Sequence, residues 1–241
     1  MIRFSMITDQ GSRENNEDSI GMYQEDKDYC FILADGLGGH GKGEVASKLA
    51  VEAVIRQFVG ETAGEEFLEQ AFQKAQEDIL ETQKEAPGCF DMKTTLVVLE
   101  IRKDQIRWGH IGDSRLYCFE NGKYVKRTLD HSVPQMLVAI GEIREKDIRH
   151  HTDRNRLLRV LGVEDDEVNP SIGDWTEGRT GQAFLLCSDG FWELIEEKKM
   201  EKTLKKADTP EEWLKLMEEI VLKNGKGTNM DNYSAIGVWI D

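Results

Sequence analysis

Four aspartates stand next to glycine or asparagine at the ends of strand-like runs: Asp35-Gly36, Gly112-Asp113, Asp189-Gly190 and Asp231-Asn232. Three of them follow apolar, β-prone runs (Tyr29 to Ala34, Ile106 to Ile111, Ala183 to Cys187), and the fourth precedes one, Tyr233 to Ile240. A carboxylate at the end of a buried strand is costly unless something positive meets it. Gathered by folding, four of them form a site for hard cations, and oxygen-only ligation suits Mg²⁺ or Mn²⁺ rather than zinc. Two such ions about 3.5–4 Å apart, bridged by a carboxylate and a water, make a nucleophile at neutral pH and clamp a phosphoryl group. Gly36 can bring its carbonyl oxygen close to an ion because it has no side chain. Any one Asp-Gly pair taken alone reads more simply as a β-turn; it is the joint occurrence at strand ends that favours a site.

A second constellation is Asp9-Gln10-Gly11-Ser12-Arg13-Glu14-Asn15-Asn16-Glu17-Asp18, one arginine among acids. A two-metal site needs a positive fork for the remaining phosphate oxygens, which arginine offers. By itself the segment reads equally as a surface loop with local salt bridges. The glycine loop Gly36 to Gly43 lacks the Ser/Thr after its lysine and does not match a nucleotide P-loop. His40 within it reads as a polar loop residue before it reads as a ligand. Cys30, Cys89, Cys118 and Cys187 show no C-x-x-C spacing, which argues against a zinc site or redox pair. Three lie in strand runs as small hydrophobes, which suits a reducing compartment.

These residues need elements to position them. Strands are expected at Arg3–Thr8, Asp28–Asp35, Thr94–Ile101, Ile106–Ile111 after a turn at Asp104-Gln105, Gln182–Ser188 and Tyr233–Ile240. Ser114–Phe119 and Lys123–Arg127 flank Asn121-Gly122, a strong hairpin signal. Apolar residues at helical spacing predict one helix carrying Val45, Leu49, Ala53 and Phe58, and a second over Glu65–Glu85 with Phe67, Ala71, Ala75 and Ile79. A short helix is expected at Val133–Ile140 within an irregular region, 129–180. Thr209-Pro210-Glu211-Glu212 is a capping box with proline at the first helical position; the helix behind it stacks Trp213, Leu216, Ile220 and Val221. Paired helices and hairpin-like strand groups argue for antiparallel sheets with helices outside them rather than alternating βαβ units.

The 241 residues predict one domain, and an apolar fraction of 39% supports a real core. A formal charge of −15 makes nucleic-acid binding through a basic face improbable. No signal-type apolar segment opens the chain, and no apolar run approaches the ~20 residues of a membrane helix. The expectation is a cytoplasmic monomer that binds neither nucleic acid nor membrane.

In chain order the motifs reach a family. They are Asp9-x-Gly11-x-Arg13-x-x-Asn16-Glu17-Asp18; Ala34-Asp35-Gly36-Leu37-Gly38-Gly39-His40; Met92-Lys93-Thr94-Thr95-Leu96; and His110-Ile111-Gly112-Asp113-Ser114-Arg115-Leu116-Tyr117. Asp130-His131-Ser132, Asn155 to Gly162, Leu186-Cys187-Ser188-Asp189-Gly190-Phe191-Trp192 and Asp231-Asn232-Tyr233-Ser234 complete the set. The ordered series spans nearly the whole chain and resembles the metal-dependent serine/threonine protein phosphatases of the PPM type, the phosphatase-2C superfamily, in their short prokaryotic form.

The resemblance implies an α+β fold, a four-layer αββα sandwich of two antiparallel sheets flanked by pairs of helices, as a single catalytic domain over 1–241 with a flap at about 132–170. It implies two Mn²⁺ or Mg²⁺ ions and a third at a weaker site. Asp35 would bridge the two ions, Gly36 would ligate the second through its carbonyl, and Asp189 and Asp231 would hold the first. Glu17 and Asp18 would lie beside them, Asn232 would orient their waters, and Asp113 with Asp189 would form a third, weaker site. Arg13 would bind the substrate phosphate. The implied reaction is hydrolysis of phosphoserine and phosphothreonine in proteins by a water bridging the metals, without a phosphoenzyme, opposing a serine/threonine kinase. The alternatives are a catalytically dead phosphoprotein-binding relative, against which the full acidic set argues, and a hydrolase of small phosphoesters. The chain departs from the family pattern in three places. Leu37 follows Asp35-Gly36 where some relatives carry a histidine as general acid, leaving His40 or a third-metal water for that role. Lys93-Thr94-Thr95 stands for Gly-Thr-Thr, and Gly11-Ser12-Arg13 is one residue short.

Overall fold

The computed structural model describes residues 1–37, 42–60, 66–164 and 168–241; His40 lies outside them. In chain order the strands and helices are β1 (Ile2–Asp9), β2 (Asp18–Glu25), β3 (Asp28–Leu37), α1 (Gly43–Gly60), α2 (Phe67–Glu85), β4 (Lys93–Thr94), β5 (Leu96–Arg102), β6 (Gln105–Ile111), β7 (Arg115–Glu120), β8 (Lys123–Arg127), α3 (Val133–Ala139), β9 (Ser171–Ile172), β10 (Thr176–Glu177), β11 (Gln182–Cys187), α4 (Asp189–Trp192), α5 (Glu197–Leu204), α6 (Pro210–Gly225) and β12 (Tyr233–Ile240). One sheet has five strands in the order β1-β12-β11-β7-β8; the other has seven, with the path β10-β6-β5-β3-β2, β4 on β3 and β9 on β6. All the pairings are antiparallel.

The apolar runs form strands buried on both faces, as continuous rather than alternating hydrophobicity demands. In β11, Phe184 and Leu186 point into the core between the sheets, against Phe31, Leu33, Val97, Leu99, Ile236 and Val238. Ala183, Leu185 and Cys187 point the other way, onto Met200, Trp213, Leu214 and Met217 of α5 and α6. A third core packs α1 and α2 on the outer face of the seven-stranded sheet through Ala50, Val54, Phe58, Phe67, Ala71, Phe72 and Ile79 against Cys30, Ile32 and Val98. Three cores between four layers make the expected αββα sandwich.

The local signals translate into geometry. Asn121 (φ 50°) and Gly122 (φ 73°) form the two-residue turn of the β7–β8 hairpin. Thr209 Oγ1 caps α6 by accepting from Glu212 N–H at 3.1 Å, whereas Glu212 reaches one residue further back than a capping box requires, to Asp208 N–H at 2.9 Å. Three expectations are corrected. The β5–β6 turn is Lys103-Asp104, with Lys103 at φ 55°, not Asp104-Gln105. The buried stripe of α6 is Trp213, Leu214, Met217 and Val221; Leu216 and Ile220 flank it. The strand expected to end at Asp35 continues to Leu37, and 38–41 of the glycine loop lie outside the described residues. Strand β2 and helix α5 were not anticipated.

Candidate active site

The chain ends of β1, β3, β6 and β11 and the starts of β2 and β12 meet at one end of the sandwich, because β2 pairs antiparallel with β3 and β12 with both β1 and β11. A cleft of about 510 Å³ opens there, lined by Arg13, Glu17, Asp35, Gly36, Asp113, Asp189, Asp231 and Asn232, with Leu37, Asn155 and Leu157 on its rim. The structure therefore brings together every one of the metal-ligand and phosphate-binding candidates. Asp18 sits just behind the cleft floor, buried, directly opposite Asp35 across the β2–β3 ladder.

Each carboxylate is held by neighbours that explain the motif around it. The peptide of Asp35 is gripped from β4 and its continuation. Asp35 N–H donates to Thr95 Oγ1 at 3.0 Å, and Asp35 O accepts from Thr94 Oγ1 and Thr95 N–H, each at 2.9 Å. Lys93 leaves this grip intact, since its side chain turns to Asp91 Oδ1 at 2.5 Å. Gly190 is glycine because its backbone lies against the Asp231-Asn232 segment; a Cβ there would stand 2.0 Å from Asn232 O. Gly11 adopts φ +60° and packs on the same segment, where a Cβ would stand 2.2 Å from Asp231 O. The glycines thus serve close approach of chain to chain as well as to an ion.

Asn232 ties the Gln10–Glu17 loop to the site. Its Nδ2 donates to Gln10 O at 2.9 Å and Asn15 O at 2.8 Å, and its Oδ1 accepts from Glu17 N–H at 2.9 Å. Both amide hydrogens are committed to the loop, which leaves the second lone pair of Oδ1 for a water. Arg13, half exposed, pairs its Nη2 with Asp231 Oδ2 at 2.8 Å, so the shortened Gly11-Ser12-Arg13 spacing still delivers the guanidinium to the cleft.

Electrostatically the site is overloaded with negative charge. Burial, then Asp18, Asp189, Asp113 and Asp231, push the Asp35 carboxyl well above the usual range. Burial and the charges of Glu193 and Asp231 raise Asp189 to about 7, although the Asp35 carboxyl, close enough to share a proton, pulls it back. Burial, then Asp189 and Asp130, raise Asp113. Asp18 is lifted by burial to about 7 in spite of a 2.7 Å bond from Ser188 Oγ to its Oδ2. Its buried Oδ1 has no hydrogen-bond partner. Such a cluster calls for cations. Among the described residues, no three Asp, Glu, His or Cys side chains close around one point. The oxygen donors are instead spread along the cleft, which fits hard ions that keep several of their waters.

The family model for protein phosphatase 2C matches residues 9–225. The chain belongs to the protein phosphatase 2C family. A serine/threonine phosphatase stp of Listeria innocua is 35% identical over 211 residues, covering 84% of this chain and 82% of that protein. The solved serine/threonine phosphatase PstP/Ppp of Mycobacterium tuberculosis superposes with a TM-score of 0.87 at 30% identity, over 100% of this chain and 99% of that one. A structure of the PstP catalytic domain in complex with two manganese ions gives a TM-score of 0.84 at 30% identity, with the same coverage. Membership in the phosphatase 2C family accounts for the enzyme class and the sandwich expected from the motifs.

Sequence reasoning left part of the phosphatase 2C site undescribed. Behind Asp113, Arg115 forms a buried bidentate pair with Asp130, Nε–Oδ1 2.8 Å and Nη2–Oδ2 2.6 Å. The same guanidinium lies 3.4 Å from the centre of the Trp192 ring, and Trp192 Nε1–H donates to Asp113 O at 3.0 Å. The signal was present, because Arg115, Asp130 and Trp192 each sit inside a quoted motif. Only the fold shows that they form one unit.

Proposed function

We propose that the chain hydrolyses phosphoserine and phosphothreonine in proteins at this cleft, with two Mn²⁺ or Mg²⁺ ions and a weaker third. The observation that carries the reading is the convergence of Glu17, Asp35, Asp113, Asp189 and Asp231 with Arg13 on one cleft in a chain of the phosphatase 2C family. Asp35 and the Gly36 carbonyl, with Asp189 and Asp231, would hold the pair of ions; Asp113 with Asp189 would hold the third. When bound, the ions would supply positive charge for the phosphoryl oxygens and would lower the pKa of water toward ~7.

The chain's own residues do the rest. Asp35, at the centre of the cluster, orients the attacking water in line with phosphorus. Arg13, held to Asp231 by one contact between half-exposed groups, can exchange it for substrate, and its fork would take two phosphate oxygens. Glu17, raised by burial and by Glu44 and Asp231, and Asp18 with its free Oδ1 accept hydrogen bonds from water around the ions. No described cysteine, serine or histidine lines the cleft, which supports direct attack by water over a nucleophilic side chain of those types. The leaving seryl or threonyl oxygen takes its proton from water in the cleft.

The described residues between 132 and 170 would form the flap. Asn155 and Leu157 reach the cleft, and backbone bonds fasten the segment, Leu158 N–H to His131 O at 2.8 Å and Leu161 N–H to Thr94 O at 2.9 Å. We read the whole chain as one catalytic domain, acting as a cytoplasmic monomer that reverses the work of a serine/threonine kinase. No described helix is long and apolar enough to cross a membrane. The test is phosphate release from a phosphothreonine peptide with Mn²⁺ and after EDTA. Turnover lost to EDTA and restored by Mn²⁺ is expected; turnover indifferent to the chelator, or none with metal, overturns the reading.

A further inference from the structure

Two hydroxyls behind the carboxylates link the segments that carry Asp35 and Asp113. Thr95 and Ser114 are both fully buried, and Thr95 Oγ1 lies 2.7 Å from Ser114 Oγ. Thr95 Oγ1 also accepts from Asp35 N–H, and Ser114 follows Asp113 directly. A short run of hydrogen bonds and one peptide link therefore joins the backbone of one carboxylate to that of the other. The Asp113 side of this run is braced from behind. Gly112, at φ +99°, lies so close to Thr95 that a Cβ would stand 2.5 Å from Thr95 Cγ2. Gly112 N–H donates to His131 Nδ1 at 3.3 Å, and Gly112 O accepts from His131 N–H at 2.9 Å. The His131 ring stacks on His110 with 4.6 Å between centroids, and its Nε2 meets Ser171 Oγ at 2.9 Å.

We propose that the Thr95–Ser114 hydroxyl pair is a positioning device that sets the Asp113 carboxyl relative to Asp35, and so sets the affinity for the ion that Asp113 helps to hold. The proposal rests on the reading of Asp113 given above. Asp113 lies on a turn rather than in a strand, so its placement depends on what fastens that turn. The two hydroxyls satisfy each other in a dry site. Replacing Thr95 by valine leaves both Ser114 Oγ and the Asp35 N–H without their partner, and replacing Ser114 by alanine leaves Thr95 Oγ1 with the Asp35 N–H alone, costs the turn relieves by shifting. Partners standing behind metal ligands are commonly worth about 10–100-fold in affinity.

The test is titration of the full chain with Mn²⁺, free ion being read by electron paramagnetic resonance, which counts ions and ranks their affinities independently of turnover. Thr95→Val and Ser114→Ala are each expected to weaken the weakest ion by about 10-fold. The double variant is expected to be no worse than the poorer single one, since both remove the same bond. Thr95→Ser, which keeps the hydroxyl, is expected to retain wild-type affinity, and it separates this role from general damage to the fold. Unchanged affinity with only a lower melting temperature, or losses that add in the double variant, would overturn the proposal. Asp113→Asn tells the two readings apart. If it keeps the weakest ion, the assignment of Asp113 fails and takes this inference with it. If it loses that ion while Thr95→Val and Ser114→Ala keep it, only the inference fails.

Discussion

Asp18 and Asp35 face each other across the antiparallel β2–β3 ladder, two carboxyls on the same face of the sheet with Cβ atoms about 5 Å apart. Like charges opposed in this way, out of water, destabilise the fold unless protons or cations come between them. Asp18 and Asp189 both stand at about 7, against roughly 3.9 for an unfolded aspartate. The metal-free folded chain therefore binds more protons than the unfolded one between those values. This contribution to stability is complete below about pH 4 and is lost as pH rises through 7. The melting temperature of EDTA-treated protein should fall from pH 5 to pH 8, and saturating Mn²⁺ should flatten the fall. A melting temperature that climbs over this window without metal would refute the assignment.

The same crowding separates function from stability at single positions. Asp35→Asn and Asp189→Asn each remove a metal donor and a negative charge. Turnover of a phosphothreonine peptide should drop to background in both, while the metal-free melting temperature stays level or rises. Wild-type turnover in either variant would mean that the donors are wrongly assigned. A collapse of the metal-free fold would mean that the carboxyls are needed structurally.

Arg13 is tied to Asp231 by a single 2.8 Å contact between half-exposed groups, a pairing worth little in itself. It is therefore free to exchange partners. Arg13→Ala should raise KM more than it lowers kcat, since its task is binding of the ground-state phosphate, and should barely move stability. Steady-state kinetics at saturating Mn²⁺ decide this; an unchanged KM removes Arg13 from the phosphate.

Gly190 lies against the backbone of Asn232, and backbone yields less readily than a side chain. Gly190→Ala should cost about 1–3 kcal/mol or more and should displace Asp231 and Asn232 together, lowering metal affinity along with stability. Urea unfolding and Mn²⁺ titration of the same variant would reveal it. A variant as stable as wild type would show that this close approach is dispensable.

Much of this was legible before any coordinates. The strands with unbroken apolar runs, the Asn121-Gly122 hairpin, the paired helices and the aspartates at strand ends all follow from local rules, and the ordered motifs supply the rest of the site. Strand β2 escaped notice because Gly21 and Ser19 dilute its pattern. Gly21 is where α1 comes closest, a Cβ there standing 2.5 Å from Val51 Cγ1, so the residue that weakened the signal exists to let the helix in. On α6 a 213-217-221 stripe and a 213-216-220 stripe differ by one residue, about 100° around the helix, and apolar spacing alone does not choose between them. Asn232 and Thr95 act on backbone groups far away in the chain, Gln10 and Asn15 for the one and Asp35 for the other. Residue type does not announce such partners.

Arg115 and Asp130 extend the argument beneath the cleft. Burial pushes the Asp130 carboxyl upward, but the Arg115 charge and its two hydrogen bonds, with Arg127 beyond, outweigh burial and hold it below the usual range. The sign is opposite to that of the metal-site acids. This pair stabilises the fold above the unfolded aspartate value and fails as pH drops through the lowered one. Lysine keeps the charge but loses the bidentate fork and the planar stack on Trp192. Arg115→Lys should therefore destabilise the protein by an amount approaching the ~3–5 kcal/mol of a broken buried pair. The Trp192 ring loses its lid, which loosens the indole that donates to Asp113 O. A fluorescence change at Trp192 and a lowered urea midpoint should appear together at neutral pH, and a variant with the wild-type midpoint would show that the buried pair contributes only charge balance.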